Sequence, residues 1–410
     1  MVTVNIFEYA SGGGFQGRRI PQGILCEGYS MLKTAAEDFH AAGYTVRCLL
    51  DSRLGSLRSD LAAVDDVVEV SPDDSSSSVQ DVFVKTLYRS ELSLVIAPET
   101  GGVLSSLIRL AEGSPSTSLN SASQTVDAAS DKALLSELLR RNGIAVPETR
   151  CLSTDDSLEK VMDAYLGFSG SAVVVKPVDG VSCESSYLVS SCAELIAAFK
   201  SLSGNRSVRR FIVQRFVEGL PASVSLISNG REARPVALNL QRVSLNQPSA
   251  KASSYKGGLT PLHHPDEEKA LQVAQRAVQM FKGLKGYVGV DLVLSPDGPV
   301  VLEVNPRLTV SYVGLRQVLK QGLAEPMVMA ALSGVLPASF ETTGFSVFSK
   351  LLSTSAKTKV DCCSRVMCPS VKVDGAELAE TLLVSWRAGE AEALRLLPAQ
   401  ERTAVEACRK

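Results

Sequence analysis

The sequence predicts an α/β fold over residues 1–120 and an α+β fold after it. Three observations carry this expectation. The run 2-VTVNIFEY-9 alternates as a strand does and leads through glycines into a helical pattern over 24–42, followed by short apolar strands at 44–50 and 92–98. This βαβα rhythm is that of a small parallel sheet with helices on its faces. Farther on, apolar strands at 172–177, 211–216, 222–228 and 235–240 follow one another. The segments 287-YVGVDLVLS-295 and 299-PVVLEVN-305 then flank Ser-Pro-Asp-Gly, a hairpin signal.

Taken in order, the first strand runs into 7-FEYASGGGFQG-17, where Gly12, Gly14 and Gly17 fit the spacing of a dinucleotide loop. A helix follows Gly101-Gly102. The serine-rich stretch 71–80 has no apolar periodicity and reads as a mobile connector. A helix starts at Ser130 or Asp131 and stops at Gly143, where glycine ends it. Another is expected over 266–282, and 255-YKGGLTPLHHP-265 before it reads as a polar loop. The last 80 residues hold strand-like 345–352 and 371–373, then a helical tail ending near 407. The expected divisions are an N-terminal α/β domain over 1–120, a central domain over 121–330 and a C-terminal extension over 331–410.

Composition bounds the function. The chain of 410 residues is 45% hydrophobic and 21% charged, with a net charge of −2, so no broad positive field exists for nucleic acid or anionic lipid. No apolar run reaches the length of a bilayer span, and the start lacks the features of a secretory signal. Nine cysteines at irregular spacing and three histidines form no zinc pattern and suggest reduced thiols in a cytoplasm. The expected partners are small molecules, with neither nucleic acid nor membrane, and a homodimer is left open.

The hairpin is the most specific signal. Glu303 and Asn305 lie two apart on one strand and share a face, and a turn near Asp297 sets Asp291 about opposite Glu303. Facing side chains sit ~5 Å apart, and like charges there repel. Two carboxylates and an amide oxygen on an apolar sheet call for a cation. Oxygen ligands this few suit Mg²⁺, or Mn²⁺ in its place, completed by waters and phosphates. The alternative is an Asp291–Arg307 ion pair with a structural Glu303. Lys132 in the first turn of its helix and Lys176 at a strand end each want an anion. The segment 214-QRFVEG-219 can offer backbone groups to a purine edge, with Glu218 near a ribose. Arg307 is placed to clamp a transferring phosphoryl group.

With 131-DKALLSELLRRNGIAVPET-149, 173-VVVKPVDG-180, 213-VQRFVEG-219 and 286-GYVGVDLVLSPDGPVVLEVNPRL-308 in this order, the chain resembles the ATP-grasp superfamily of carboxylate–amine ligases. The resemblance covers residues 90–315. It implies an ATP-grasp fold that holds its nucleotide between two α+β subdomains. It implies that Lys132 and Lys176 bind phosphates, that Gln214, Phe216, Val217 and Glu218 form the adenine hinge, and that Asp291, Glu303 and Asn305 hold one or two Mg²⁺. Arg307, with Lys176, would act in catalysis at the γ-phosphate or acyl phosphate. Leu220-Pro221 stand where an acid for the ribose is expected, and that role passes to Glu218. FEYAS, APE at 97–99, FVEG with SVSLI, and GYVGVDLVL with NPR are similar to the tyramine–L-glutamate ligases of methanofuran biosynthesis. That likeness implies glutamate as acid and a tyramine-like amine as acceptor. ADP and phosphate would leave by way of an acyl phosphate. Another acceptor, or an ATP-binding protein without turnover, remains the alternative.

The glycine loop fails as a dinucleotide site, because Arg18, Arg19 and Pro21 follow Gly17 and no helix opens there. It reads either as surface or as a substrate-side loop with Arg18 reaching a carboxylate. Glu8 and Glu99, at strand ends where open α/β sheets bind ligands, would suit a cationic amine, the alternative being helix-capping or surface acids. The loop at 255–265 either closes over phosphates or acceptor, with Lys256 or Gly257 as contacts, or is an ordinary exposed loop. His263 and His264 read as surface residues, either of which could assist deprotonation of the amine.

Overall fold

The computed structural model describes residues 1–410 except 72–77, 182, 184, 251, 353–360 and 408–410. Most of the serine-rich connector and Cys408 therefore lie outside the described residues. The N-terminal sheet is parallel throughout, in the order Asp66–Val70, Thr45–Asp51, Thr3–Glu8, Leu92–Ile96, Thr117–Ser118. Both faces are covered at its centre, so Thr3–Glu8, Thr45–Asp51 and Leu92–Ile96 are buried along nearly their whole length, polar Asn5 and Glu8 included. Val4 and Ile6 pack toward the helix Gln22–Ala41, and Phe7 toward the helices Val79–Leu87 and Val103–Glu112. The strand Asp66–Val70 and the helix Val79–Leu87, which opens on a Ser78–Asp81 capping box, were not anticipated.

The helix Gln22–Ala41 is buried on nearly all sides, because the C-terminal half of the chain packs against the flank that the sheet leaves open. Its buried charges are each paired across that contact or within the domain: Glu27 with Lys350 at 2.8 Å, Lys33 with Asp60 at 2.6 Å, and Asp38 with Arg316 at 2.8 Å. Asp38 also accepts from the Tyr312 hydroxyl at 2.7 Å and from the Leu323 N–H at 2.8 Å, at the start of the helix Ala324–Leu332.

Two antiparallel sheets follow. The smaller runs in the order Thr149–Ser153, Arg210–Arg215, Val173–Pro177, Tyr187–Val189 and is backed by the helices Leu158–Leu166 and Cys192–Gly204. The larger has eight strands in the order Gly298–Asn305, Lys285–Ser295, Leu220–Asn229, Ala233–Ser244, Ser254–Thr260, Phe345–Leu352, Glu380–Arg387, Ser364–Cys368. Its central strands bury one face against the helix Glu267–Gln279 through Ala270, Ala274 and Val278.

The first part of the expected loop 255–265 is instead a strand, Ser254–Thr260, paired on both sides with Ala233–Ser244 and Phe345–Leu352. Its two glycines gave a turn signal but serve close packing. A Cβ on Gly257 would stand 1.9 Å from the Phe348 carbonyl oxygen. The strand Glu380–Arg387 was not anticipated either. The helices Glu390–Leu394 and Ala399–Ala407 close the chain, and Glu401 pairs with Arg242 of the large sheet.

Candidate active site

The two antiparallel sheets face each other across a cavity of about 210 Å³. Strand alternation decides which side chains enter it. In Val173–Pro177, Val173 and Val175 join the core of the small sheet, so Val174 and Lys176 face the cavity. On the large sheet, Val290 and Leu292 point to the core while Asp291 and Val293 point to the cavity.

The hairpin adds a step that alternation does not supply. Pairing starts at Ser295 with Gly298 and reaches Leu292 with Val301, after which the register shifts and Asp291 stands opposite Glu303. This β-bulge is what puts both carboxylates on one face, since strict pairing would set Leu302 against Asp291.

The pair is electrostatically crowded. Burial and the neighbouring Glu303 carboxylate push the Asp291 carboxyl up to about 8. Burial works against ionised Glu303 too, but Lys132 and Lys176 outweigh it and hold that carboxyl down at about 2. The crowding favours the neutral form of Asp291, and a cation between the two carboxylates would relieve it instead. Gln241 Nε2 donates to Asp291 Oδ1 at 2.8 Å, and Asn305 Nδ2 donates to Asp291 Oδ2 at 3.1 Å. Among the described residues no group of three or more His, Cys, Asp or Glu stands ready for a metal. A divalent ion held by Asp291, Glu303 and Asn305 would thus need further oxygens from a bound phosphate or water, and the donor set fits Mg²⁺ on those terms.

Opposite this face stand two cations. Lys132 opens the helix Lys132–Arg141, whose Asp131 cap accepts from Ala133 N–H and Leu134 N–H, both at 3.0 Å. Its ammonium donates to the Gly180 carbonyl at 2.8 Å and lies 3.0 Å from Glu303. Burial pulls the Lys176 ammonium below its ordinary range, with Glu303 opposing. Both are poised to gain from an incoming polyanion.

Gln214 is buried, and its Nε2 donates to Thr149 Oγ1 at 2.9 Å, so its side chain braces the small sheet. The chain leaves that sheet at Phe216 and crosses at Val217. Gly219 lets it pass against the hairpin, where a Cβ would lie 2.3 Å from the Leu294 carbonyl oxygen. Phe216, Val217 and Gly219 line the cavity, while Glu218 is exposed at its rim.

Arg307 follows the hairpin and lines this cavity together with a second, smaller one on the side of the N-terminal domain. The smaller cavity, about 30 Å³, is also bordered by Glu8, Glu27, Ile24 and Met31. Glu8 accepts from Ala10 N–H, Ser11 N–H and Ser11 Oγ, and burial raises its carboxyl to about 7. Glu99 is buried behind Arg307 and pairs with it.

Other expected residues are not brought here. Arg18 is exposed beside Arg19 in a separate groove, and its Nη2 donates to Tyr9 Oη and the Gly14 carbonyl. Lys256 is exposed and Gly257 is packed into the sheet, while their neighbour Tyr255 faces the cavity. His264 accepts from Asp266 N–H, and His263 stacks edge-on to Phe345. The glycine loop folds on itself: Gly12 N–H donates to the Glu8 carbonyl, Gly14 N–H to the Tyr9 carbonyl, and a Cβ on Gly14 would meet the Tyr9 ring at 2.3 Å. Sequence reasoning passed over Gln241, Tyr255 and Glu27. An acid in the otherwise small and apolar run 23-GILCEGYSML-32 was the available signal for Glu27.

A cavity between two antiparallel sheets, with lysines on one wall and paired carboxylates on the other, behind a parallel α/β domain, defines a class. Residues 129–311 match the model of the ATP-grasp domain, and residues 44–126 match that of the pre ATP-grasp 3 domain. The chain has the ATP-grasp fold, with an ATP-grasp domain over residues 129–311, and is an enzyme of the ligase class. It is 27% identical over 333 residues to the tyramine–L-glutamate ligase of Methanocaldococcus jannaschii, covering 79% of this chain and 88% of that one. The fold matches an ATP-grasp superfamily protein from Archaeoglobus fulgidus with a TM-score of 0.63 at 24% identity, over 94% of this chain and 100% of that one. It also matches a biotin carboxylase–beta-gamma-ATP complex from Campylobacter jejuni with a TM-score of 0.72 at 13% identity, over 96% and 89%.

Proposed function

We propose that the chain joins an amino-acid carboxylate to an amine with ATP as phosphoryl donor, and that the acid is L-glutamate and the amine tyramine-like. The observation that carries the reading is the meeting of Lys132, Lys176, Asp291, Glu303 and Arg307 around one cavity. The named relative supports the choice of substrates.

In this reading Lys132 and Lys176 bind the phosphates of ATP, and Phe216 to Glu218 border its base and ribose. A Mg²⁺ ion on Asp291, Glu303 and Asn305, when bound, supplies charge neutralisation at the phosphates. The substrate carboxylate attacks the γ-phosphorus, ADP leaves, and Arg307 stabilises the charge that develops on the transferred group. The amine then displaces phosphate from the acyl phosphate and leaves an amide. The walls of the two sheets around the cavity would limit the access of water to the acyl phosphate. The smaller cavity beside Arg307, with Glu8 and Glu27 at its border, lies on the side from which the amine would come, and its size admits a head group rather than a whole aromatic amine.

The test is a panel of acids and amines scored for ADP release and product mass. L-Glutamate with tyramine should yield ADP, inorganic phosphate and the amide. AMP and pyrophosphate would rule out the acyl-phosphate route.

A further inference from the structure

The turn that follows the strand Leu92–Ile96 touches both walls of the nucleotide cavity from outside it. On one side, Glu99 Oε1 stands 2.9 Å from Arg307 Nε. On the other, Thr100 Oγ1 donates to the Asp179 carbonyl at 3.0 Å, and Gly101 N–H donates to the Asp179 carboxylate at 2.8 Å. Asp179 lies three residues beyond Lys176 on the loop that leaves the small sheet. One short turn of the N-terminal domain thus holds the arginine of the large sheet and the loop behind the lysine of the small sheet.

The contact with Arg307 is made outside both cavities. Glu99 is 7% exposed and borders neither of them. Its carboxylate oxygens and Arg307 Nε are buried and meet at 2.9 Å, so the grip is on the Nε edge of the guanidinium. Arg307 Nη1 donates to the Leu308 carbonyl next to it, at 3.0 Å, and the side chain lines both cavities.

We propose that Glu99 is a positioning residue, which holds Arg307 at the border of the two cavities and acts on phosphoryl transfer through Arg307 rather than by touching substrate. This rests on the ligase reading above and replaces the expectation that Glu99 binds the amine. The turn then reports across the cleft: the loop beside Lys176 and Arg307 keep a fixed separation because residues 99–101 grip both.

The test is a double-mutant cycle with saturating ATP, L-glutamate and tyramine, read as ADP release. Arg307→Gln should lower kcat by ~10²–10³, the cost of removing one preorganised charge contact. Glu99→Gln should lower kcat by roughly tenfold or more, with KM for ATP and tyramine changed by less than about threefold. Glu99→Asp should recover part of the loss. Added to Arg307→Gln, Glu99→Gln should cost less than about threefold more, because its only route of action is already gone. Losses that multiply in the double variant would overturn the proposal. So would a Glu99→Gln enzyme whose tyramine KM rises about tenfold at unchanged kcat, which would make Glu99 an amine contact. Should Glu99→Gln alone fail to fold, the comparison of Arg307→Gln with the double variant, which removes both buried charges, still decides. If the wild type forms no amide, the substrate reading falls, and the same cycle is read in ATP hydrolysis without acceptor.

Discussion

Replacing Asp291 with asparagine should remove a loss of stability with rising pH, the opposite of what an ion-paired carboxylate contributes. Asp291 is raised from 3.8 to about 8, so the folded chain holds a proton that the unfolded chain releases near pH 4. Stability from this group is complete below pH 4 and is lost steadily as pH rises toward 8. Glu303, lowered to about 2, has the opposite sign, and its contribution is present above pH 4.5 and disappears only as pH falls through 2. Between pH 5 and pH 8 only Asp291 of the pair titrates. At 1.4 kcal/mol per unit, that window amounts to roughly 4 kcal/mol, an upper figure because the two carboxyls share their charge. Glu8, raised to about 7, adds a fall of the same sign, but in wild type and variant alike. The measurement is urea denaturation at pH 5 and pH 8 without metal. The wild type should lose more stability than Asp291→Asn by an amount of this order. Mg²⁺ with ADP should restore the wild type at pH 8 and leave the variant nearly unmoved. Parallel loss in both proteins, or equal rescue by Mg²⁺, would refute the claim that a cation belongs on this pair.

Two further outcomes follow from the geometry. Lys176→Ala should weaken ATP binding by calorimetry and lower kcat by ~10²–10³, since it removes a half-buried cation from the phosphate wall. Gly14→Ala should instead destabilise the protein by about 1–3 kcal/mol in urea, because the added methyl meets the Tyr9 ring, while the folded fraction binds ATP with wild-type affinity.

The site was largely legible in the sequence because its residues sit on regular strands, where spacing translates into facing. Val174 and Lys176, or Glu303 and Asn305, are two apart and share a face in any extended chain. Asp291 is expected opposite Glu303 from a turn centred near Asp297. The turn instead closes Ser295 on Gly298, which alone would set Leu302 there, and the bulge restores the expected pair. Lys256 and Gly257 were misplaced because Gly-Gly beside a tyrosine and a proline resembles a turn. Here both glycines are demanded by backbone and ring atoms of neighbouring strands. The contact of Glu99 with Arg307 and the pair of Glu27 with Lys350 join residues more than two hundred positions apart. No local period carries information about pairs of that kind.

The order of strands in the large sheet also fixes when the enzyme can assemble. Ser254–Thr260, which brings Tyr255 to the cavity, is covered on its outer side by Phe345–Leu352, and that strand in turn by Glu380–Arg387. While the chain is being synthesised, the strand at 254–260 leaves the ribosome well before its outer partner and has an open edge in that interval. The helix Gln22–Ala41 waits as well, since the surface that buries its far side is built partly from Phe348 and Leu382. The first helix made and the last strands made are therefore finished together, and a nascent chain stalled before residue 345 would hold every phosphate-wall residue named above without a closed sheet to present them.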